Sequence, residues 1–414
     1  MKVLDLHIIQ SYPVNCLNRD ENNSPKVTTF GGVKRARISS QSLKRSIRET
    51  LKNLSPEYFS GIRTRYLVPL FKEELLAAGF NEKNANILSI VGTTCYSVLD
   101  PKDKKRTKTI MYLDKSEVQE IIKQWKADAV IKEWLASEKS SIWYNLICES
   151  SLKDSFAKID DKKCLYKYKA GKKNIETTLD LSYFNKFLKR IPLKEGIDIK
   201  LFGRFMSSND SLTVESSTSF AHAFSTHAVH MESDFFAAVD ERLPPTNSGA
   251  AITNTTEYNT ATYYKFVSLN ISDFWDSDLS CNFSDEEKRK IISMFIHAVL
   301  FSIPSAKKSS MNAGTFPSYI LGCIRDKSSS VNFANAFEIP INISEYERSE
   351  NKSYINLSAT SLRNYFAKTH KMGWFAFSDI KTEVELSEIS FTEKTPAKKV
   401  NTVIEFINEL VANV

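Results

Sequence analysis

The sequence predicts an α+β fold, a core of ferredoxin-like or RRM-like type carrying two elaborations. Three observations lead there. An alternating apolar segment, Val3 to Val14, is followed by a turn-rich stretch and a capped amphipathic helix. A lysine-rich stretch over 55–195, mostly helical in pattern, then interrupts the core. Strand chemistry returns in the alternating β-branched or aromatic runs Ile197 to Met206 and Phe220 to Val229. The core is thus expected to comprise 1–54, 196–239 and 263–414, with a helical insertion over 55–195 and a hairpin over 240–262. No internal repeat is present.

Each element has a local reason. Val3 to Val14 alternates as a half-buried strand does, and the polar stretch Asn15 to Pro25 turns the chain after it. Ser39 caps the first helix, and Ile38 meets Leu43 as a hydrophobic staple. Leu43, Ile47, Leu51 and Leu54 form that helix's apolar stripe. Residues 241–261, rich in Thr, Asn and small side chains, read as a projecting loop or hairpin before a strand over Thr262 to Ile271. Ser284 with Glu287 makes a capping box for a helix running to Phe301, and Tyr319 to Ile324 is strand-like.

With 414 residues, 42% hydrophobic and 25% charged, the chain has the balance of an ordered globular protein. Its six cysteines contain no CxxC pair, which argues against a zinc ribbon or disulfide framework and for free thiols in a reducing cytoplasm. Asp5 and His7 inside the N-terminal apolar run argue against a signal peptide. The most apolar stretch, Ile291 to Pro304, is shorter than the roughly 20 residues a bilayer requires, so no membrane partner is expected. His222, His227 and His230 lack the spacing of a metal site, because on a strand His227 points away from the other two. Neither metal nor cofactor is expected.

The net charge of +7 is modest, but its distribution is not even. Between Lys26 and Arg48 stand seven basic residues (Lys26, Lys34, Arg35, Arg37, Lys44, Arg45, Arg48) and no acidic one, in a chain with 49 acids. At about 100° per residue, Gln41, Lys44, Arg45 and Arg48 share a face of the helix beside its apolar stripe. Ser39, Ser40 and Gln41 add hydroxyls and backbone N–H groups at the positive end of the helix dipole. A solvated basic face behind an ordinary serine cap is the plain reading, and the absence of acids favours phosphate binding.

The runs Cys16-Leu17-Asn18-Arg19-Asp20, Phe30-Gly31-Gly32 and Arg37-Ile38-Ser39-Ser40-Gln41-Ser42-Leu43-Lys44-Arg45 resemble the N-terminal signature of the type I-E CRISPR Cascade backbone subunit, CasC. The resemblance resumes at Gly203-Arg204, Ala221-His222-Ala223, Thr226-His227, Asp234 to Asp240, Pro304 to Lys307 and Asn335 to Glu338. It is weak over 55–195 and after about residue 345. The resemblance implies a right-hand shape: an RRM-like palm, helical fingers from the insertion and a thumb hairpin over 240–262. It further implies copies stacked head to tail along one CRISPR RNA (crRNA), contacts that give an open filament and not a ring.

By matching position it assigns the RNA backbone to Arg19, Lys26, Ser39, Ser40, Gln41, Lys44 and Arg45, with Arg204, Lys307 and Lys308 joining the basic set. Phe235, Phe236 and Ile252 stand at the family's apolar wedge, which displaces bases at regular intervals; the hairpin register leaves Thr253 as the alternative to Ile252. Target DNA is the expected partner of the insertion's lysines, Lys104, Lys105, Lys167 and Lys169, alongside the other Cascade subunits: large, small, 5′-handle-capping and crRNA-processing. No catalytic residue is expected. The rival is an RRM-like CRISPR RNA-processing endonuclease, disfavoured by the lack of a C-terminal Gly-rich segment. An acidic target-RNA cleaver of related type III subunits is the other; Asp20 sits near the relevant region, and the type I-E resemblance implies that it is structural.

Overall fold

Strand β1 (Lys2–Asn15) lies at the centre of the sheet, antiparallel to Ala250–Asn270 on one side and to Tyr319–Asp326 on the other. The computed structural model describes residues 1–414 apart from 101, 138–139, 141–143, 145–155, 159–162, 171–172, 181, 191–195, 206–211, 240–249, 276–282, 345–346, 349 and 351. Beyond Tyr319–Asp326 follow Asp379–Ser387 and the parallel-paired Lys398–Val400. On the other flank Ala223–Ser225 leads to β3 (Val33–Ile38) and β2 (Val27–Phe30). Thr218–Phe220 and Glu232–Val239 also pair with Ala250–Asn270, making a mixed sheet of ten strands. The fold is α+β. Residues 1–56 and 217–414 form one compact unit and 57–216 a second.

β1 is covered on both faces, not one. Its polar residues are interior ones with internal partners. Asp5 pairs with Arg325, His7 Nδ1 lies 2.9 Å from the Tyr264 hydroxyl, and Gln10 Oε1 accepts from Lys265 Nζ at 2.6 Å. One face carries Ile9, Tyr264 and Phe266 against Phe333, Phe337 and the helix Tyr354–Lys371. On the other face Gly322 leaves the room taken by Leu410 and Phe406 of the helix Val403–Val411, 2.8 Å from where a Cβ would stand.

Helix α1 (Ser40–Leu54) starts as its sequence dictates. Ser39 is the N-cap, its Oγ accepting from Ser42 N at 3.3 Å, and Ile38 and Leu43 share one buried cluster. Leu43, Ile47 and Leu51 are buried, whereas Leu54 is exposed. Ser284 closes its capping box with Glu287 over Asp285–Phe301. The hairpin is longer than its composition suggested: Glu232–Val239 runs antiparallel to the first half of Ala250–Asn270, from Glu232↔Tyr258 to Val239↔Ala250. Threonine, frequent over 253–262, suits a strand despite its polarity.

The second unit packs Phe71, Leu88, Val91, Trp125, Phe184 and neighbours between the helices Leu67–Ala77, Glu82–Tyr96, Lys115–Ala127 and Ser182–Arg190. Two sequence expectations are corrected here. Ile197–Phe202 is a helix, not a strand: it opens at Gly196, closes at Gly203 with φ of 77°, and buries Ile197, Asp198, Ile199 and Leu201 together. The lysine-rich stretch around Tyr166 and Tyr168 is an antiparallel strand pair, Lys163–Ala170 with Lys173–Asp180, and not a helix. Among the described residues no helix is long and apolar enough to cross a membrane.

Candidate nucleic-acid interface

Beyond the end of β1, three segments of the sheet unit converge: the 15–26 loop, the start of α1 and the loop after Phe301. The first braces itself. Asp20 Oδ1 accepts from the backbone N–H groups of Asn22 (2.9 Å) and Ser24 (3.0 Å), and Asn23 Oδ1 accepts from Arg19 Nη1 at 3.1 Å. Lys26 N donates to Asn18 O at 2.8 Å, and Ser39 N donates to Asn18 Oδ1 at 2.9 Å, so Asn18 clips the loop to the helix cap. The third segment turns tightly at Lys307, whose φ is 56°.

Arg19 and Arg45 line one cleft of about 400 Å³ together with Asn18, Ser42 and Ser305. Burial pushes the Cys16 thiol up, while the nearby positive charges of Arg19 and Lys307 pull the other way. Arg19 and Lys307, separated by nearly 290 positions of chain, thus both lie near Cys16, and Pro304, Ser305 and Ala306 of the Lys307 loop line the cleft itself. Glu49 was missed by the sequence reading: it accepts from Arg45 Nε at 2.8 Å, with side chains 72% and 50% exposed. An exposed (i, i+4) pair of this kind contributes roughly 0.3–0.5 kcal/mol and yields readily to a phosphate.

Lys44 stands half-buried, its Nζ 5.2 Å from the Phe220 ring centroid, and burial holds its ammonium below the usual lysine range. Arg37 Nε donates to Val27 O at 3.2 Å, and its Nη1 lies 2.9 Å from His222 Nδ1. Burial, then Arg37 and Lys26, hold His222 below its ordinary pKa. Phe220 and His222 thus join the basic face, an association no local pattern announces. Lys34, Gln41 and Lys308 are exposed; Lys26, Ser40, Arg48 and Lys307 are half-buried.

Three expected contacts are corrected. Arg35 is fully buried, donating to the carbonyls of Phe30 (3.1 Å), Ser225 (3.0 Å) and Phe337 (2.9 Å). Arg204 is buried in the second unit, its Nη1 held by both Glu117 oxygens at 2.9 and 2.8 Å. Ser39 is 7% exposed with its hydroxyl committed to the cap. All three shape the protein: Arg35 and Arg204 are spent on interior partners, and Ser39 Oγ accepts the cap bond of the helix.

Phe235 and Phe236 sit on the hairpin opposite Thr255 and Asn254, 66% and 43% exposed, so neither belongs to the core. Ile252 pairs with Ala238. The side chains of Ile252, Lys104, Lys167 and Lys169 lie outside the described residues, and Lys105 is exposed. Thr262 N donates to His227 Nε2 at 3.1 Å, and the ring stacks on Tyr354. His230 is exposed, so the three histidines have separate surroundings. Among the described residues no three metal-ligating side chains cluster.

Two solved structures share this fold. One, from a "CRISPR RNA-guided surveillance complex, pre-nicking", aligns with a TM-score of 0.73 at 22% identity over 99% of both chains. Another, from a "CRISPR RNA-guided surveillance complex", aligns with a TM-score of 0.65 at 18% identity over 100% of both. No curated protein matches the sequence. The family model described as CT1975-like protein matches residues 4–413, covering both compact units. The chain therefore belongs to the CT1975-like protein family.

Proposed function

We propose that this chain is the crRNA-binding backbone subunit of a type I-E Cascade complex and performs no chemistry itself. The sheet unit serves as an RRM-like palm, the unit of residues 57–216 as fingers and the hairpin from Glu232 as a thumb. The observation that carries this reading is the cleft lined by Arg19 and Arg45 and closed by the loop that carries Lys307, on a unit whose basic face also holds Lys44 and Arg37. Guanidinium and ammonium groups there fit phosphate oxygens and ignore base identity, as a subunit that accepts every spacer requires. Copies stack head to tail along the crRNA, Phe235 and Phe236 part the bases at intervals, and the guide is left free to pair with target DNA. Lys105 and the neighbouring fingers lysines hold that DNA; the large, small, handle-capping and processing subunits complete the assembly.

Replacing Lys44 and Arg45 together by alanine tests the reading, since neither side chain supports the core. RNA retention is expected to fall at least 100-fold with thermal unfolding unchanged; undiminished retention removes the basic helix from the site. Incubation of the purified chain with labelled repeat RNA is expected to coat the RNA at constant length. Specific shortening would instead identify a processing nuclease. Asp20, whose Oδ1 is occupied by two backbone N–H groups, is positioned as a loop brace in either case.

A further inference from the structure

A second cleft of about 430 Å³ shares Leu17 and Pro304 with the Arg19–Arg45 cleft and opens beside Lys308. Phe316 stands at its edge, 71% exposed. The ring is held in place: Phe301 meets it edge-on at 5.9 Å and 82°, and His297 braces Phe301 from behind at 4.6 Å. The residue before it is pinned to β1, Thr315 Oγ1 donating to Ser11 O at 2.7 Å and Gln10 Nε2 donating to Thr315 O at 2.6 Å. An exposed aromatic is unremarkable alone. One fixed over a concave site whose only charged lining residue is a lysine has the makings of a stacking platform.

We propose that Phe316 and Lys308 form a pocket for one unpaired nucleobase of the strand whose phosphates Arg19 and Arg45 hold. This rests on the backbone-binding reading above. The volume lies in the range of small-ligand sites. The ring supplies a π-face to any base; Lys308 and the exposed Asn312 amide stand at the rim, where base acceptors and the next phosphate arrive. Charge favours this occupant over a side chain of a second copy: the lining holds no Asp or Glu, whereas the first cleft holds Asp20 and Glu49. A strand gripped in the first cleft passes the shared wall with a base over the second.

The test compares the purified full chain with F316A and F316W on a single-stranded RNA and on a sugar-phosphate strand of equal length lacking bases. F316A is expected to weaken RNA binding about 10-fold, the scale of one lost base stack. F316W is expected to restore it, and all three proteins are expected to bind the abasic strand alike. Equal loss on both strands, or no loss on RNA while R19A/R45A weakens it, overturns the pocket and leaves the backbone reading standing. If R19A/R45A leaves RNA binding intact, both fall. A change in the sedimentation of RNA-free F316A overturns the pocket in favour of docking by a second copy.

Discussion

Arg35 and Arg37 lie two residues apart on one strand, yet folding gives them opposite fates. Both fall within the acid-free run that marked a phosphate site, and both project from the same side of β3. What separates them is the segment around Phe337, 300 residues away, whose carbonyl closes over Arg35 and leaves Arg37 beside His222. Charge patterning exposed the basic surface but had no means of registering that cover. The same holds for Arg204, whose guanidinium is satisfied by Glu117 in the interior of the second unit. Removing one partner of a buried pair strands the other, so R204M is expected to destabilise the protein by about 3–5 kcal/mol in urea unfolding, and the double variant R204M/E117L to recover most of it. Lys265 makes the opposite case. Desolvation alone brings its pKa from 10.5 down to about 7 in the fold, with Gln10 Oε1 as its acceptor. Between those values the unfolded chain holds a proton that the folded chain lacks, so stability rises with pH across that window. K265M removes this cost, by a few kcal/mol on a scale of roughly 1.4 kcal/mol per pKa unit. Its gain over wild type is expected to be largest at pH 7 and below, shrinking as pH rises towards 10; a gain independent of pH would place the Lys265 ammonium in contact with water.

Elements whose instructions are local were readable, and those that depend on distant cover were not. The cap and staple of α1 and the capping box at Ser284 need only a few adjacent residues, and they form as written. Ser284→Ala is expected to cost about 1 kcal/mol, measurable as a lowered urea midpoint, because the N–H of Glu287 loses its acceptor. Ile197–Phe202 failed because six residues satisfy both periods at once: alternating Ile197, Ile199 and Leu201 imitate a strand, while Asp198 is just as buried, its Oδ2 accepting from Gly61 N. β1 looked half-buried because Asp5, His7 and Gln10 alternate with aliphatics, and only the three-dimensional partners reveal them as interior. The β2–β3 turn was legible as a motif without its reason. Gly31 and Gly32 take φ of 61° and 78°, the pair of positive values a two-residue hairpin turn demands. At Gly31 an added Cβ would stand 1.6 Å from the Glu338 carbonyl oxygen. Gly31→Ala therefore meets strain and collision together, and a loss of about 3 kcal/mol or more is expected in the same assay, whereas Gly32→Ala, with open space around it, meets only the strain of about 1–3 kcal/mol.

For the molecule as a whole, a net charge of +7 spread over 414 residues would bind nucleic acid weakly; what matters is that Arg19 and Arg45 line one cleft and a loop from the other end of the chain completes it. The loop after Phe301 enters the cleft from nearly 290 residues beyond Arg19: the resemblance already names Lys307 and Lys308 on it, and the fold supplies what no local pattern holds, its place beside Arg19 and Arg45. A site that grips sugar-phosphate and repeats along a strand has two separable signatures. Each subunit adds its own phosphate contacts, so the number of chains per RNA is expected to climb in steps with strand length, as native mass spectrometry can count, and to be the same for any base composition. A single occupancy on every length of RNA would rule out the filament. The second signature is ionic. For single strands, log K falls with log salt by about 0.7 per phosphate neutralised. Arg45 rests on Glu49 in the free protein, and a phosphate must draw it away. Removing Glu49 frees the guanidinium in advance, so E49Q is expected to tighten RNA binding about twofold at unchanged salt slope, the worth of that exposed pair, while R45A weakens it and lowers the slope by about 0.7. If E49Q leaves affinity unaltered and R45A leaves the slope unaltered, Arg45 stays with its own helix and the strand is held elsewhere.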